Sequence, residues 1–383
     1  MATHLPLSAP LEAYESQAAA LLRGHAAGER AAIDQFHENH PRFLDEKVTW
    51  LPLPLSDEEI AQQALTIDDA RLAVARSYGF RDWDALASLV NEAAREGSPV
   101  REFEYAVEAV IVGDESALRE RLAANPALVL ARSSRVTNQD PSVHGATLLH
   151  YVAANGVEGY RQRTPANVVE IARILLEAGA EVDARAGMYG GEYATLSMLV
   201  SSSPPAGAGM QVPLVHVLLD HGAAIEGVGM PKWHSPLMTA LIFGFRDAAE
   251  ALVSRGAKVD RLEVAAGLGR VGDATALLPS ADEESRHRAL ALATMCGQVG
   301  VARRLLEAGV DPSRRNPDGF HGHATPLHHA AHAGHLEMVA LLVRHGARVD
   351  LRDSLWQGTP LDWAEHGEQD TIAAFLRSQG AQE

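Results

Sequence analysis

The sequence has little cysteine, few aromatic residues and fewer basic than acidic side chains. Its 383 residues include one cysteine, Cys296, so no disulfide can form within the chain and we expect a reducing, cytoplasmic location. Aromatic residues make up 5%, so small aliphatic side chains must fill most of the core. The formal net charge of -17 argues against a surface for nucleic acids or anionic membranes, because both need a basic patch.

Long hydrophobic runs are also missing. No stretch of eighteen apolar residues is present, so we expect no membrane-spanning helix. The first residues show neither the basic nor the apolar region of a secretory signal, and none is expected. Histidine, by contrast, is abundant, with 18 residues beside 33 lysines and arginines. Part of this excess belongs to a repeated pattern.

A short phrase recurs along the last two thirds of the chain. It has two apolar residues, two polar residues, a glycine and a small residue, followed in most copies by a valine or isoleucine and an acidic residue. Gly222 and Gly256 are 34 residues apart, and so are Gly346 and Gly380. Because glycine adopts positive φ without steric cost, we predict that each of these glycines ends a helix. They are Gly179, Gly222, Gly256, Gly309, Gly346 and Gly380.

A second phrase precedes several of these glycines by about twenty residues. Its clearest copy begins Thr325-Pro326-Leu327-His328, in which Thr325 is placed to cap a helix and Pro326 occupies the first turn. Gly334 ends this helix, and a second apolar stripe follows it. Each unit is therefore predicted to contain a turn and two short helices, which must stack on neighbouring units to bury their apolar faces.

These phrases resemble the ankyrin repeat. We therefore predict an all-α ankyrin-repeat solenoid of about eight helix-turn-helix units over residues 105–383. The resemblance is close at 325–350, recognisable at 147–183, partial at 359–381, looser at 193–226, 235–260 and 288–311, and degenerate at 105–131 and 261–281.

Residues 1–98 lack the repeat and are predicted to form an N-terminal helical domain. Ser56, Thr66 and Asp82 are placed to cap three of its helices. The stretch 69–83 is similar to a helical segment found ahead of ankyrin arrays in bacterial proteins. That similarity implies a bacterial protein in which this domain caps the first repeat.

The predicted array is interrupted by two inserted loops, near 157–165 and 200–210, and by a stretched turn at 316–324. Thr164 is expected to cap the helix that follows the first insert. Inserts in repeat arrays collect on one face, which is often the binding face.

Resemblance to the ankyrin family implies a concave binding surface made by the turn before each unit and the exposed side of its first helix. Histidine and tryptophan gather at these positions, and exposed aromatic residues on a rigid groove are common binding anchors. The candidate ligand-binding residues in these turns, helix ends and inserts are His144, Asn155, Tyr160, Arg161, Tyr189, Trp233, His234, His321, His323, His332 and Trp356.

Some histidines have a simpler explanation. His150 and His328 occupy the fourth position of the second phrase, where an imidazole can tie the helix start to the neighbouring turn. His321 and His323 form a His-x-His pair, but zinc needs three or four ligands, so no metal or cofactor is predicted. Cys296, near the end of a helix, is expected to be buried rather than reactive.

None of the usual nucleophile, phosphate-binding or metalloprotease motifs is present, and catalytic residues stay unassigned. The sequence therefore favours a binding protein that recognises a protein or peptide through its concave groove. The alternative is an enzyme or small-molecule binder whose pocket, lined by histidine, tyrosine, arginine and tryptophan, is roofed by the inserts. In that case Arg161 and Arg163 would hold an anionic group of the ligand. If the insert is instead an ordinary surface loop, both arginines are exposed to solvent.

Overall fold

The computed structural model describes residues 4–6, 8–228 and 235–382. It divides into two compact units, Met1–Met230 and Pro231–Glu383, so the predicted boundary near residues 98–105 lies inside the first unit. The described residues are mostly helical, with one short two-stranded ribbon, which confirms the predicted all-α class. No helix in these ranges is long and apolar enough to cross a membrane.

The first unit begins with five helices that share one hydrophobic core. Tyr14, Phe36 and Leu86 are among its buried residues. The predicted caps are confirmed, since Ser56 and Thr66 each form a capping box and Asp82 accepts a hydrogen bond from the backbone of Ala85 at 2.9 Å. The helices are α1 Leu11–Ala26, α2 Arg30–Asn39, α3 Asp57–Ala61, α4 Ile67–Ser77 and α5 Trp83–Ala94, with a 3₁₀ turn at Pro41–Phe43.

Three stacked helix pairs complete this unit. The pairs are α6/α7, α8/α9 and α10/α12, and the first helix of each pair contacts the first helix of the next. Helix α6 also contacts α5 of the N-terminal region. The helices are α6 Pro99–Val112, α7 Glu115–Ala124, α8 Leu148–Val152, α9 Val168–Glu177, α10 Thr195–Leu199, α11 Ser203–Gly207 and α12 Gln211–Asp220, with 3₁₀ turns at Pro126–Leu130 and Gly159–Arg161.

The turn before α10 is an antiparallel ribbon of strands β1 (Arg185–Met188) and β2 (Gly191–Ala194), with Tyr189 at its tip. Of the two predicted inserts, residues 200–210 contain the short helix α11, and residues 157–165 contain the 3₁₀ turn Gly159–Arg161.

The expectation that Thr164 caps the helix after the first insert is wrong. Helix α9 begins at Val168, with Asn167 in the cap position. The Asn167 amide donates to the carbonyl oxygen of Gly113 at 2.9 Å and to the carboxylate of Glu115 at 2.7 Å. The start of α9 is therefore fixed by contacts with the preceding helix pair, which local sequence does not reveal.

The second unit contains five further helix pairs in the described residues. First helices contact first helices along the stack, and a core of alanine, leucine, valine and isoleucine runs between the layers. The helices are α13 Pro236–Ile242, α14 Arg246–Ser254, α15 Leu262–Gly267, α16 Val271–Leu277, α17 Glu283–Met295, α18 Val299–Glu307, α19 Pro326–His332, α20 Leu336–Arg344, α21 Pro360–His366 and α22 Asp370–Ser378, with a 3₁₀ turn at Leu278–Ser280.

The glycines of the first phrase end their helices as predicted. All six have positive φ, between 84° at Gly309 and 101° at Gly256, and each follows the second helix of a pair. Because a residue with a Cβ atom is strained in this conformation, the phrase keeps glycine there even where its other positions vary.

Candidate functional site

The histidines of the second phrase are structural, as predicted. In the first unit, Nδ1 of His150 accepts from the backbone N–H of Thr147 at 3.1 Å, which leaves the proton on Nε2. That Nε2 lies 3.2 Å from the carbonyl oxygen of Tyr193, in the turn before the next pair. His328 makes the same set of contacts in the second unit. Both imidazoles are buried, so neither is available to a ligand.

Four other candidates meet in the second unit. The ring centroids of His321 and His323 lie 6.0 Å apart, and those of His323 and Trp356 lie 5.1 Å apart. The fourth candidate, His332, reaches this group through Trp363, with centroids 6.1 Å apart. Together with their further ring neighbours these residues form what we call the aromatic–imidazole surface, which consists of Phe243, His321, His323, His329, His332, Trp356, Trp363 and His366.

The repeat register explains why helical residues of this surface line up. Trp363 is four residues after Thr359 in α21, and His329 is four residues after Thr325 in α19. Because α19 and α21 stack, residues at equivalent positions become neighbours, and these two rings lie 5.3 Å apart.

The stretched turn before α19 extends the surface across the array. His321 adopts a left-handed backbone conformation with φ of 57°. Its ring packs edge-on to Phe243, with centroids 5.7 Å apart, and lies close to the backbone of Ile242. Ile242 and Phe243 belong to the end of α13, so this turn passes over two intervening helix pairs. The extra residues at 316–324 are what allow it to reach that far.

One part of the surface is an open concavity. It has a volume of about 560 Å³ and lies at the last two helix pairs. Trp356 is 53% exposed there, and Phe243, at the other end of the surface, is 50% exposed. Trp356 lies in the turn before α21 and Phe243 directly follows α13, and exposed aromatic residues of this kind are favourable binding anchors. The concavity is lined by His332, Arg352, Trp356, Gln357, Gly358, Asp362, Trp363 and His366.

Burial sets the charge of three imidazoles on this surface. It lowers the pKa of His321 and of His323, and it lowers the pKa of His329 to about 3. These rings are therefore neutral at pH 7 and present flat, weakly polar faces. Within the described ranges, no three His, Cys, Asp or Glu side chains are arranged to hold a metal ion.

Two candidates of the first unit are brought together at the ribbon. The Tyr189 hydroxyl donates to Oδ1 of Asn155 at 2.8 Å, while the Asn155 amide donates to Ser201 Oγ at 2.9 Å. Tyr189 is 61% exposed. These two hydrogen bonds link the ribbon to the helix pair α8/α9 and to the second insert. Trp233 and His234, two further candidates, lie outside the described residues.

His144 and Arg161 are not on an exposed surface, contrary to expectation. Both are buried, and the view of Arg161 as a solvated loop residue is wrong. Nε2 of His144 lies 3.0 Å from the carboxylate of Glu158, and Nη2 of Arg161 lies 2.8 Å from that of Glu104. Arg163, by contrast, is exposed.

These contacts belong to a buried ionic cluster that the sequence did not reveal. Arg135 pairs with Glu104 at 2.7 Å, and Arg161 also pairs with Glu108 at 3.0 Å. Burial alone would raise the pKa of Glu104 and Glu158, but the arginines outweigh it and hold both pKa values below the ordinary range. The sequence did contain one signal for this cluster. Glu104 is an acidic residue among the apolar residues of α6, beside Phe103.

Arg161 and Arg135 keep unused hydrogen-bond donors. No acceptor among the described residues lies within reach of Nε or Nη1 of Arg161, or of Nη1 of Arg135. Leaving a buried donor unmatched costs about 1–3 kcal/mol, and more when the group is charged. Tyr160, the last candidate, stacks on His4 with centroids 4.6 Å apart and lies beside the Arg161 guanidinium.

Cys296, which was expected to be buried, is partly buried. Burial raises the pKa of its thiol to about 12, and Sγ lies 3.4 Å from the carbonyl oxygen of Leu241. A thiol with this pKa is almost entirely protonated at neutral pH and is a poor nucleophile.

Comparison with known families finds the repeat in both units. A model of three ankyrin-repeat copies matches residues 290–382, and a single ankyrin-repeat model matches residues 144–186. These ranges contain the two copies of the second phrase with a histidine in its fourth position.

Curated relatives agree with the family models. Cyclin-dependent kinase inhibitor 2A of Homo sapiens is 36% identical over 124 residues, which are 31% of this chain and 76% of the relative. The protein of the same name from Monodelphis domestica is 36% identical over 123 residues, 31% of this chain and 69% of the relative. Cyclin-dependent kinase 4 inhibitor B of Homo sapiens is 32% identical over 138 residues, 35% of this chain and 96% of the relative.

These three relatives are eukaryotic, so they give no support to the predicted bacterial origin, which stays a prediction. The ranges that the family models match contain both Thr-His ties described above. The chain belongs to the ankyrin-repeat family.

Proposed function

We propose that the chain binds a segment of a partner protein on the aromatic–imidazole surface of the second unit. The observation that carries this proposal is the continuous row of ring contacts from Phe243 to His366, on the turns and first helices of stacked helix pairs and exposed at both ends. Rings that already hold one another in place lose little conformational freedom on binding, so the entropic cost of ordering them is small.

The chemistry of the surface favours a segment with basic and apolar side chains. The faces of Trp356 and Trp363 attract guanidinium and ammonium groups. Asp362 in the same concavity adds little charge, because its carboxylate caps α21 and lies 3.9 Å from Arg352. The net charge of -17 also favours encounter with a basic partner. The relatives are named as kinase inhibitors, that is, as proteins that act on other proteins, which supports a protein partner as a class.

A catalytic pocket has less support. Arg161, which was to hold an anionic substrate group, is engaged by Glu104 and Glu108. The recorded ring neighbours of His321 are Phe243, His323 and His329, none of which is an acid or a nucleophile. We therefore propose a binding protein rather than an enzyme, and, from the single cysteine, a cytoplasmic location.

Selection of random-sequence peptides against the full chain tests this function. We expect selected peptides to combine arginine or lysine with aromatic or aliphatic residues and to bind with one-to-one stoichiometry in isothermal titration. Their affinity should fall with rising salt, since the attraction is partly electrostatic. A selection that yields no saturable binder, or only acidic peptides, would overturn the proposal.

A further inference from the structure

A buried carboxylate lies behind the concavity of the aromatic–imidazole surface. Asp353 has no exposed surface and lies in the turn before α21. Its Oδ1 accepts from the backbone N–H groups of Leu355 at 2.8 Å and Trp356 at 2.7 Å. Its Oδ2 accepts from the backbone N–H of Gly358 at 2.9 Å and from the indole N–H of Trp363 at 3.0 Å. Three of these four donors belong to residues that line the concavity.

The charge of this carboxylate is not balanced by a cation. Burial alone would raise the pKa of Asp353, but its hydrogen bonds outweigh this and hold the pKa below the ordinary range, so the group is ionised at pH 7. No arginine, lysine or histidine side chain in the part of the chain that the structure describes pairs with it. Arg352 and Asp362, which line the concavity, lie 3.9 Å apart and largely offset one another. Asp353 therefore adds a negative charge that neither of them offsets.

The indole of Trp363 links this charge to the concavity. An N–H group that donates to a carboxylate is polarised toward it, which leaves more electron density on the ring. The ring face then attracts a cation more strongly, and the low dielectric of the buried turn screens the carboxylate little. Gly358 keeps the two groups close, since a Cβ there would lie 3.2 Å from both Asp353 Oδ2 and Trp363 Cδ1. We propose that Asp353, acting through Trp363, makes the concavity select an arginine side chain of the partner segment.

Arginine suits this wall better than lysine does. A guanidinium group is planar and weakly hydrated, so it stacks on an indole face, whereas an ammonium group is compact and strongly hydrated. The chain uses the same pairing elsewhere, because the guanidinium carbon of Arg71 lies 5.7 Å from the ring centroid of Trp83. This inference rests on the function proposed above and assigns Asp353 a positioning role in it.

NMR of the indole N–H groups of the ¹⁵N-labelled full chain tests the selectivity. The probes are acetyl-arginine N-methylamide, its lysine counterpart, and its citrulline counterpart, which has nearly the same shape without the charge. We expect saturable shifts at Trp356 and Trp363, while Trp83, whose ring already carries Arg71, stays unchanged. The arginine probe should bind about fivefold or more tightly than the citrulline probe, and more tightly than the lysine probe.

The variant Asp353→Asn separates the charge from the structural role of this residue. It should bring the ratio of arginine to citrulline affinity close to one and leave the citrulline affinity unchanged. A purely structural role would lower both affinities alike and keep their ratio. Asp350→Asn is the matched control, because Asp350 is exposed and pairs with Arg348 at 3.2 Å, and its ratio should equal that of the wild type.

A second variant keeps the test decisive if Asp353→Asn loses the native spectrum. Trp363→Phe retains the three backbone donors to Asp353 and removes only the indole donor, so the ratio, followed at Trp356, should again fall. A ratio of one in the wild type, an unchanged ratio in the folded variant, or an equal fall in Asp350→Asn would overturn the proposal. Saturable binding of selected peptides beside any of these outcomes would leave the proposed function standing.

Discussion

Nε2 of His328 lies 3.1 Å from the carbonyl oxygen of Gly358, thirty residues further along the chain and in the turn that opens the next helix pair. On the other side of the same ring, Nδ1 accepts from the backbone N–H of Thr325 at 3.2 Å. One neutral imidazole therefore joins the start of one helix to the turn of the next. It fixes both the register of stacking and the position of the concave turns.

Replacing this imidazole by phenylalanine should destabilise the second unit. His328→Phe leaves the carbonyl of Gly358 and the N–H of Thr325 without their buried partner, which we expect to cost about 2–4 kcal/mol. Urea unfolding followed by circular dichroism measures this. His345→Phe is the matched control, because His345 is exposed and its replacement should change stability by no more than about 0.5 kcal/mol. Equal losses would show that the tie contributes nothing.

The equivalent histidine of the first unit should make stability fall with acid. Burial lowers the pKa of His150 to about 4, whereas an unfolded histidine titrates near 6.5. The unfolded chain therefore binds the proton more readily, and the contribution of His150 is complete above pH 6.5 and lost as pH falls toward 4. Between pH 7.5 and 5 this loss amounts to about 2 kcal/mol.

The variant His150→Asn isolates that contribution from those of the other histidines. It should be less stable than the wild type at pH 7.5, yet lose about 2 kcal/mol less on acidification to pH 5. Urea unfolding at both pH values gives the difference. An unchanged acid loss in the variant would show that His150 is not the titrating group.

Two glutamates on α6 should differ sharply in their contribution to stability. Glu104 is buried between Arg135 and Arg161, whereas Glu102 pairs with Arg121 at the surface. Glu104→Gln should cost about 3–5 kcal/mol, because it leaves two buried guanidinium groups with too little negative charge. Glu102→Gln should cost less than about 1 kcal/mol. Similar costs for the two changes, measured by thermal unfolding, would refute the burial of the ionic cluster.

The thiol of Cys296 should resist alkylation. Since burial raises its pKa to about 12, the thiolate fraction at pH 8 is about a hundredfold or more below that of a free cysteine. Iodoacetamide should therefore modify the native chain at least a hundredfold more slowly than the urea-unfolded chain, as followed by mass spectrometry. Equal rates would place the thiol in solvent.

The repeat units could be predicted because their signals are local. A glycine that ends a helix and a Thr-Pro pair that starts one act within a few residues, so their spacing alone gave the helix pairs. The same argument applies to Trp363, which occupies the position in its repeat unit that His329 occupies in the preceding unit. Stacking of the two helices brings these rings together. Its role at the site followed from the register, although the sequence analysis did not use it.

Features that depend on the path of long loops could not be predicted. The contact of His321 with Phe243 requires the stretched turn to cross two helix pairs. The burial of Arg161 requires the first insert to fold back onto α6, where the guanidinium pairs with Glu104. Neither the length nor the composition of these loops determines their direction. The prediction from sequence therefore placed Arg161 in an open groove.

The central claim is that a partner segment binds the aromatic–imidazole surface. It is tested most directly by the dissociation constant of a selected peptide for two tryptophan variants. Trp356 is 53% exposed on this surface, and Trp50 is 64% exposed in the first unit. We expect Trp356→Ala to weaken binding about tenfold or more and Trp50→Ala to leave it unchanged. Unchanged binding by Trp356→Ala, or an equal loss in Trp50→Ala, would contradict the account.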